Sequence, residues 1–490
     1  MGEQGQCAPV SSLLFTSPSM FQTALFALLL FLHSEYRLFT FGPLCVSGFR
    51  LNKTVNSGFT SVVVPPLRAL NNSKNALLGV AESRGDAADG PGLRRLLRKS
   101  GIFAKVAPGI LCSLPIGKRI LSRLERVIRV EMARLGAHEI GLPLLQPSGI
   151  INQRKKDFGN ELYVVRDRHG KTLHLGPTCE ELASRVITNT LCPISKRHLP
   201  LSVYQIGTKF RDEARPCDVT MRCREFSMKD AYSFHPDAAS AAETYDQYKK
   251  AYQQILDKLG IVYTIKTISD NGCVEEEFTV TLPDAELEVA HIFQLGTALT
   301  QEAEMSFEIE SRSRKPVYLN SYGIGLERLV HAAASQHSDA DGLCLPQIIA
   351  PYDVAIVVCD PDNDDLVKLA RDIQILLSHK GLDTLVDCGT ASVKQRSADI
   401  RCVGIPHVVY VTTSEHAKGL EPDNTARDQI THLSSQSNYY HLWQSEHSTL
   451  AKDSSVDAEK VFSRHVGYSH RSLPGEYHIP VSRLMELLCV

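Results

Sequence analysis

At 490 residues the chain has room for two or three domains, each able to bury a core. With 43% hydrophobic and 22% charged residues it has the make-up of a soluble globular protein, and its net charge of -2 excludes a global basic excess while leaving room for one basic face. The 13 cysteines form no C-x-x-C pair, which argues against structural zinc, against a disulfide framework and for a reducing final compartment.

The chain opens on an apolar run, Ala24-Leu-Phe-Ala-Leu-Leu-Leu-Phe-Leu32, of signal-peptide length and too short to span a bilayer. From Tyr36 to Ala81 there is no Asp or Glu, while Arg37, Arg50, Lys53, Arg68 and Lys74 are spread among Ser, Thr and Asn. That composition predicts an organellar targeting leader over 1–84, bound for the mitochondrial matrix or the plastid stroma. A two-part plastid leader, a mitochondrial presequence and a membrane anchor all fit the pattern. The expectation adopted is a mature form without stable membrane association.

Helical spacing of Ile120, Leu121, Leu124, Val127, Ile128 and Leu135 predicts a helix over Gly117–Leu135, stopped by Gly136. His138–Gln146 reads as a strand that breaks at Pro143. Leu201–Phe210 and Cys223–Met228 read as strands joined by a charged loop, and Ala238–Leu259 as an amphipathic helix with Tyr245, Tyr248, Tyr252, Ile255 and Leu259 on one face. Val317–Ser321 reads as a strand running into Gly323-Ile-Gly-Leu-Glu-Arg-Leu-Val330, which opens a helix. The mixture predicts an α+β domain over 85–348, built around an antiparallel sheet. Beyond Pro351, strands at Val354–Val358, Leu382–Val386 and Val408–Thr412 alternate with helices at Leu366–Ser378 and Ser392–Ile400. They predict a smaller α/β domain over 349–490, closed by a short helix at Val481–Leu488. Residues 415–477 carry no period.

Three stretches carry chemistry. Phe210-Arg-Asp-Glu-Ala-Arg-Pro and Met221-Arg-Cys-Arg-Glu-Phe-Ser-Met-Lys-Asp230 place arginines at strand ends, with Phe226 between Glu225 and Lys229. Taken alone, such a run is a solvated, salt-bridged loop; at fixed strand ends, Arg suits bidentate phosphate contact and an aromatic face suits a purine. In Tyr322-Gly-Ile-Gly-Leu-Glu-Arg328 the glycines Gly323 and Gly325 permit close approach beside a helix N-terminus that favours anions. Packing alone would also explain them. Leu175-Gly-Pro-Thr-Cys-Glu-Glu181 offers a hydroxyl and a carboxylate on a turn, suited to an ammonium or to ordinary helix capping.

Together these stretches resemble a family signature. Pro143 in its strand resembles the first motif of class II aminoacyl-tRNA synthetases, Phe210-Arg-Asp-Glu with Arg224-Glu-Phe the second, and Gly323-Ile-Gly-Leu-Glu-Arg328 the third. Gly176-Pro-Thr-Cys-Glu-Glu, Met221–His235 and Val289-Ala-His-Ile-Phe-Gln-Leu-Gly-Thr297 resemble the bacterial and organellar prolyl-tRNA synthetases, with the likeness running from about Leu96 to Pro406. The resemblance implies an ATP-dependent ligase that forms prolyl-adenylate and loads tRNA(Pro). It implies ATP and Mg2+ as cofactors, no protein metal site, and a homodimer through the first motif.

By the same resemblance, Arg211 holds the α-phosphate and the substrate carboxylate, Glu213 the adenine amino group, Phe226 the ring and Arg328 the γ-phosphate. Arg222 and Gln294 join the ATP set. Thr178, Glu180, Asp230 and His291 join Arg211 around proline, and the domain after Pro351 resembles an anticodon-binding domain. Two departures stand out: Cys179 lies where many relatives have His, and Asp387-Cys-Gly lacks the usual acidic-acidic-basic pattern. A non-catalytic, synthetase-like tRNA-binding or regulatory protein is the rival reading, opposed by the presence of both Arg211 and Arg328. His235 and Asn320 stand too close in sequence for a large inserted editing domain, so no editing in cis is expected.

Overall fold

The computed structural model describes residues 96–97, 100–151, 158–191, 193–216, 222–270, 273–283, 285–309, 313–413, 421–422, 461, 463–470 and 477–488. The whole leader reading, 1–84, and most of 415–477 lie outside them.

A hairpin of β1 (Phe103–Ala107) and β2 (Ile110–Ser113) leads into α1 (Pro115–Arg134). The helix begins on a proline, whose missing N–H costs nothing in a first turn. It buries Ile116, Ile120, Leu121, Leu124, Val127, Ile128 and Met132 along one stripe, each such side chain stabilising by about 2 kcal/mol. The strand expected over 138–146 is two: β3 (His138–Glu139) and β4 (Leu145–Pro147) separate around Pro143, because a proline cannot donate to a ladder. β4 joins β5 (Val164–Arg166) and β6 (Thr172–Leu175) in a small antiparallel sheet that delivers the chain to α2 (Glu180–Thr190).

After β7 (Ile194–Ser195) come the two long strands β8 (Leu201–Phe210) and β9 (Glu225–His235). β9 runs well past the expected Met228. Its later residues are nearly all buried, so they show none of the alternation that marks a half-exposed strand. α3 (Ala238–Lys258) follows, capped by the Asp237 carboxylate, which accepts from Ser240 N. β10 (Thr264–Asp270), β11 (Cys273–Thr281) and β12 (Glu286–Gly296) form a meander. Past α4 (Ala298–Glu302), β13 (Ser306–Glu308) and β14 (Arg314–Pro316), the chain returns in β15 (Tyr318–Gly325) and α5 (Leu326–Gln336). Gly323 and Gly325 therefore belong to the strand, and the helix opens just after them.

The central sheet has the order β10-β11-β12-β15-β9-β8-β3, antiparallel except for the short β3·β8 pair. One face carries Tyr204, Ala231, Tyr322, Ile324, Ala290 and Ile292 in a common core with α1, α3 and α5. The other face carries Val203, Tyr232, Phe234 and Leu319, beneath α2. Functional residues gather on this second face.

The C-terminal sheet has the order β19-β18-β20-β22-β23-β21. Its members are β18 (Val354–Val358), β19 (Thr384–Asp387), β20 (His407–Val411), β21 (Glu421–Pro422), β22 (His465–His470) and β23 (Tyr477–Pro480). α6 (Asp364–His379), α7 (Val393–Cys402) and α8 (Val481–Leu488) accompany them. Strand β22 lies within the stretch that showed no period. β18 is buried throughout, which explains its unbroken apolar run. Its residues alternate between two cores: Val354, Ile356 and Val358 pack with α6 and α8, whereas Ala355 and Val357 join the cluster that holds the central sheet and α1. The division read at 348/349 thus falls inside one continuous apolar cluster.

Charge reinforces this junction. Arg123 of α1 makes a two-pronged bond to Asp353, 2.9 Å on each arm, and Asp353 also accepts from Asp383 N at 2.8 Å. Arg119 pairs with Asp383, donates to Pro351 O at 2.8 Å and lies 3.9 Å from the Tyr352 ring centroid. Removing one member of a largely buried pair strands the other, so Asp353→Ala is expected to cost roughly 3 kcal/mol in urea unfolding. A change below the resolution of the measurement would show that the junction is held by apolar packing alone.

Candidate active site

Strand alternation assembles the site. Gln205 and Lys209 on β8 and Arg211 just beyond it are separated by even numbers of residues, as are Phe226, Asp230 and Tyr232 on β9, so each set shares one face of the sheet. Register sets Gln205 opposite Asp230, Tyr232 opposite Ser321, and Gly323 between Asp230 and His291.

The turn Gly176–Glu180 hangs over this face. Glu180 is the first residue of α2, and its carboxylate accepts from Thr178 Oγ1 at 2.5 Å and from Ser321 Oγ at 2.9 Å. Two hydroxyls hold both oxygens of a buried carboxylate in place, as a fixed negative charge facing a cationic ligand requires. Gln146 reaches under the turn to Thr178 O at 2.9 Å, and a β-carbon at Gly176 would collide with its amide. The thiol of Cys179 is buried and receives the amides of Gln146 and Gln205, each at 3.3 Å. Burial pushes it up to about 12, so it stays a neutral thiol.

Arg211 follows the end of β8. Its guanidinium carbon lies 5.6 Å from the Phe158 ring centroid and 5.4 Å from that of Phe226, so the flat cation sits beside two aromatic rings. Its Nε is buried without a hydrogen-bond partner among the described residues. Burial, and then the charge of Arg328, hold Arg211 below the usual arginine value. A stranded donor on a cation that faces a second cation marks a place built for an anion.

Arg328, in the first turn of α5, donates to Glu288 O at 2.9 Å and lies 3.3 Å from Glu288 Oε2. The other Glu288 oxygen is 2.8 Å from His291 Nδ1. Burial raises the Glu288 carboxyl, but the His291 hydrogen bond and charge, with Arg328 and Arg211, outweigh it and hold the group at about 2. Residues three apart on a strand normally face opposite ways. Glu288 and His291 share a face because the register shifts at Phe278/Thr279, leaving Val289 as an extra residue. Glu327 takes Ser227 N at 2.9 and 3.1 Å, tying α5 to β9.

The remaining expected residues are less closely joined. Glu213 is half-buried, and its backbone accepts from Arg224 Nε at 3.3 Å. Arg224, whose backbone also bonds Gly109 O at 2.7 Å and Arg211 N at 3.0 Å, anchors the base of the loop, whereas Arg222 is exposed. Gln294 pairs with Asn320 and shares strand parity with Ala290 and Ile292, on the side lined by helices. Asp230 is buried among protein groups. Sequence reasoning missed Gln146, Phe158, Gln205, Lys209, Tyr232, Glu288 and Ser321. Period-two spacing from Arg211 and Phe226 would have found Gln205, Lys209 and Tyr232.

Gly323 is needed for closeness rather than for a turn. A β-carbon there would stand 2.5 Å from His291 Nε2. Gly323→Ala is therefore expected to push the imidazole out of place and lower kcat/KM for ligand turnover about 100-fold, with thermal melting little changed. Unaltered kinetics would show that the His291 position does not matter.

A family profile described as "tRNA synthetase class II core domain (G, H, P, S and T)" matches residues 163–337. The proline–tRNA ligase of Rickettsia rickettsii (strain Sheila Smith) is 30% identical over 383 residues, 66% of this chain and 89% of that protein. That of Thermotoga maritima is 42% identical over 229 residues, covering 45% of this chain and 39% of that one. A prolyl-tRNA synthetase structure from Giardia lamblia, solved with prolyl-adenylate, shares the fold with a TM-score of 0.64 at 19% identity, over 80% of this chain and 75% of that one. With nearly the full length of the Rickettsia enzyme matched, and the second and third signature stretches joined on one sheet, the chain belongs to the prolyl-tRNA synthetase family of class II aminoacyl-tRNA synthetases.

Proposed function

We propose that this protein activates L-proline with ATP and transfers the prolyl group to tRNA(Pro), serving translation in an organelle. One observation carries the catalytic reading. A carboxylate held by two hydroxyls, Glu180, and two arginines, Arg211 and Arg328, stand over the same face of one sheet. The first offers countercharge to a secondary ammonium, the second to a polyphosphate.

In the first step a proline carboxylate oxygen attacks the α-phosphorus of ATP. The bond from that phosphorus to the bridging oxygen breaks, and pyrophosphate leaves with the electron pair. In the second, a terminal ribose hydroxyl of the tRNA attacks the prolyl carbonyl and AMP leaves. Arg211 would neutralise charge at the α-phosphate and Arg328 at the far phosphates, while Thr178, Glu180 and His291 hold the amino acid. Phe226 and Glu213 would take the adenine. Catalysis is then positioning plus charge neutralisation, with no covalent intermediate on the enzyme. Among the described residues no group of three or more His, Cys, Asp or Glu side chains is arranged to hold a metal ion. Mg2+ held by the ATP phosphates would add to that charge neutralisation, as the family resemblance implies.

Two further parts of the reading have their own support. A homodimer is supported by the exposed apolar side chains Leu144, Leu145 and Val164 at the small sheet beside the first motif. Sedimentation velocity reporting a monomer at micromolar concentration would remove it. The organellar part rests on the composition of residues 1–84. Fused to a fluorescent protein, that segment should collect in mitochondria or plastids; diffuse cytosolic signal would count against it.

Proline-dependent ATP–pyrophosphate exchange tests the activity itself. Strong exchange with proline and little with threonine is expected, and Arg211→Ala should lower it by about 100- to 1000-fold in a folded protein. Absence of exchange from folded wild-type protein would favour a tRNA-binding role without catalysis.

A further inference from the structure

We infer that Lys209, Asp230 and Tyr232 form a buried relay that positions the Thr178–Glu180 turn, so that affinity for the amino acid, as opposed to ATP, depends on the Tyr232 hydroxyl. The inference rests on the proline-activating reading above. Lys209 Nζ stands 2.7 Å from Asp230 Oδ1, as a charge pair between side chains that are 2% and 3% exposed. Tyr232 OH donates to Asp230 Oδ2 at 2.6 Å, and Gln205 Nε2 donates to the same oxygen at 3.0 Å. With its proton committed to Asp230, the phenol oxygen is free to accept, and it receives Cys179 N at 2.9 Å.

Each link does one thing. The lysine ammonium gives the buried Asp230 carboxylate a countercharge inside the core. The anion orients the phenol proton away from the turn. The phenol oxygen then fixes the peptide N–H that lies between Thr178 and Glu180. Among the described residues the Tyr232 hydroxyl is the acceptor of this N–H, and Cys179, the N-cap residue of α2, makes no side-chain cap bond of its own. Tyr232 is fully buried, 0% exposed, and Asp230 2%, so neither is placed to be a surface group waiting for a ligand. Gln205 braces the arrangement from the side, joining Asp230 to the Cys179 thiol and accepting from Leu142 N at 3.0 Å. All three relay residues are thus positioning residues for Glu180 and Thr178.

The test is steady-state ATP–pyrophosphate exchange by the full chain, titrating proline and ATP separately. Tyr232→Phe removes one oxygen and keeps the ring. It is expected to raise KM for proline about tenfold, the scale of one hydrogen bond to a charged group, with KM for ATP within about twofold of wild type. Gln205→Leu, which cuts the brace and leaves the phenol in place, should raise KM for proline by a smaller factor. Thr178→Val combined with Tyr232→Phe should do no more than the worse single change, since both act on one turn. Unchanged KM for proline in both Tyr232→Phe and Gln205→Leu would overturn the relay. So would equal increases in both KM values, which mean general loosening, or additive effects in the double variant. Should Tyr232→Phe not fold, the Gln205→Leu split decides. Wild-type protein silent with proline would instead remove the functional reading, and the relay with it.

Discussion

Two guanidinium groups, Arg211 and Arg328, face the same space above the central sheet, and no amount of local hydrogen bonding makes that arrangement comfortable. Burial and like charge both work against the ionised state of Arg211, and its Nε is left without a partner among the described residues. Such an arrangement persists only if the framework around it is too stiff to relax. The framework here is a sheet fastened from below by α1, α3 and α5, with Glu288 bonding Arg328 directly. The site is held open against its own electrostatics, ready for a polyanion that will relieve them.

That demand explains features that otherwise look unrelated. The bulge at Val289 brings Glu288 alongside His291 and within reach of Arg328. Gly323 lets the imidazole approach the neighbouring strand closely, and Gly325 leaves room for the Arg328 stem, whose nearest carbon would lie 3.3 Å from an added β-carbon. Glu327 fastens the helix bearing Arg328 to the strand bearing Phe226 and Asp230. Local rules of chain conformation are bent here in the service of charge placement.

Much of this was legible in the chain. The strand Leu201–Phe210, the helices over Ala238–Leu259 and Val481–Leu488, and the α+β class follow from period and punctuation alone. Arg211, Arg328, Thr178 and Glu180 followed from motifs, and they do come together on one face. The rest was hidden for definite reasons. Ser321 bonds a residue 141 positions away, a pairing that no local pattern encodes. Glu288 was masked by a bulge that breaks strand parity, and Gln294 sat on the wrong parity for the side of the sheet that Ser321 and Gly323 occupy. The extent of β9 was masked by burial on both faces. Lys209 and Tyr232 were visible in principle through simple alternation, but a lysine and a tyrosine in a strand read as surface and core until register shows what lies between them.

The sharing of β18 between two cores bears on how such a chain can be divided. A domain that ends in a polar linker can be exchanged between proteins like a cassette. Here alternate residues of one strand, Ala355 and Val357, are already part of the neighbour's interior, and Arg119 and Arg123 of α1 clasp the loops that flank it. A cut at 348/349 would expose apolar surface on both sides and leave two arginines without their acids. The C-terminal sheet therefore shares its packing with the α1 surface, and any chimaera that grafts it onto another synthetase would have to carry that surface along with it.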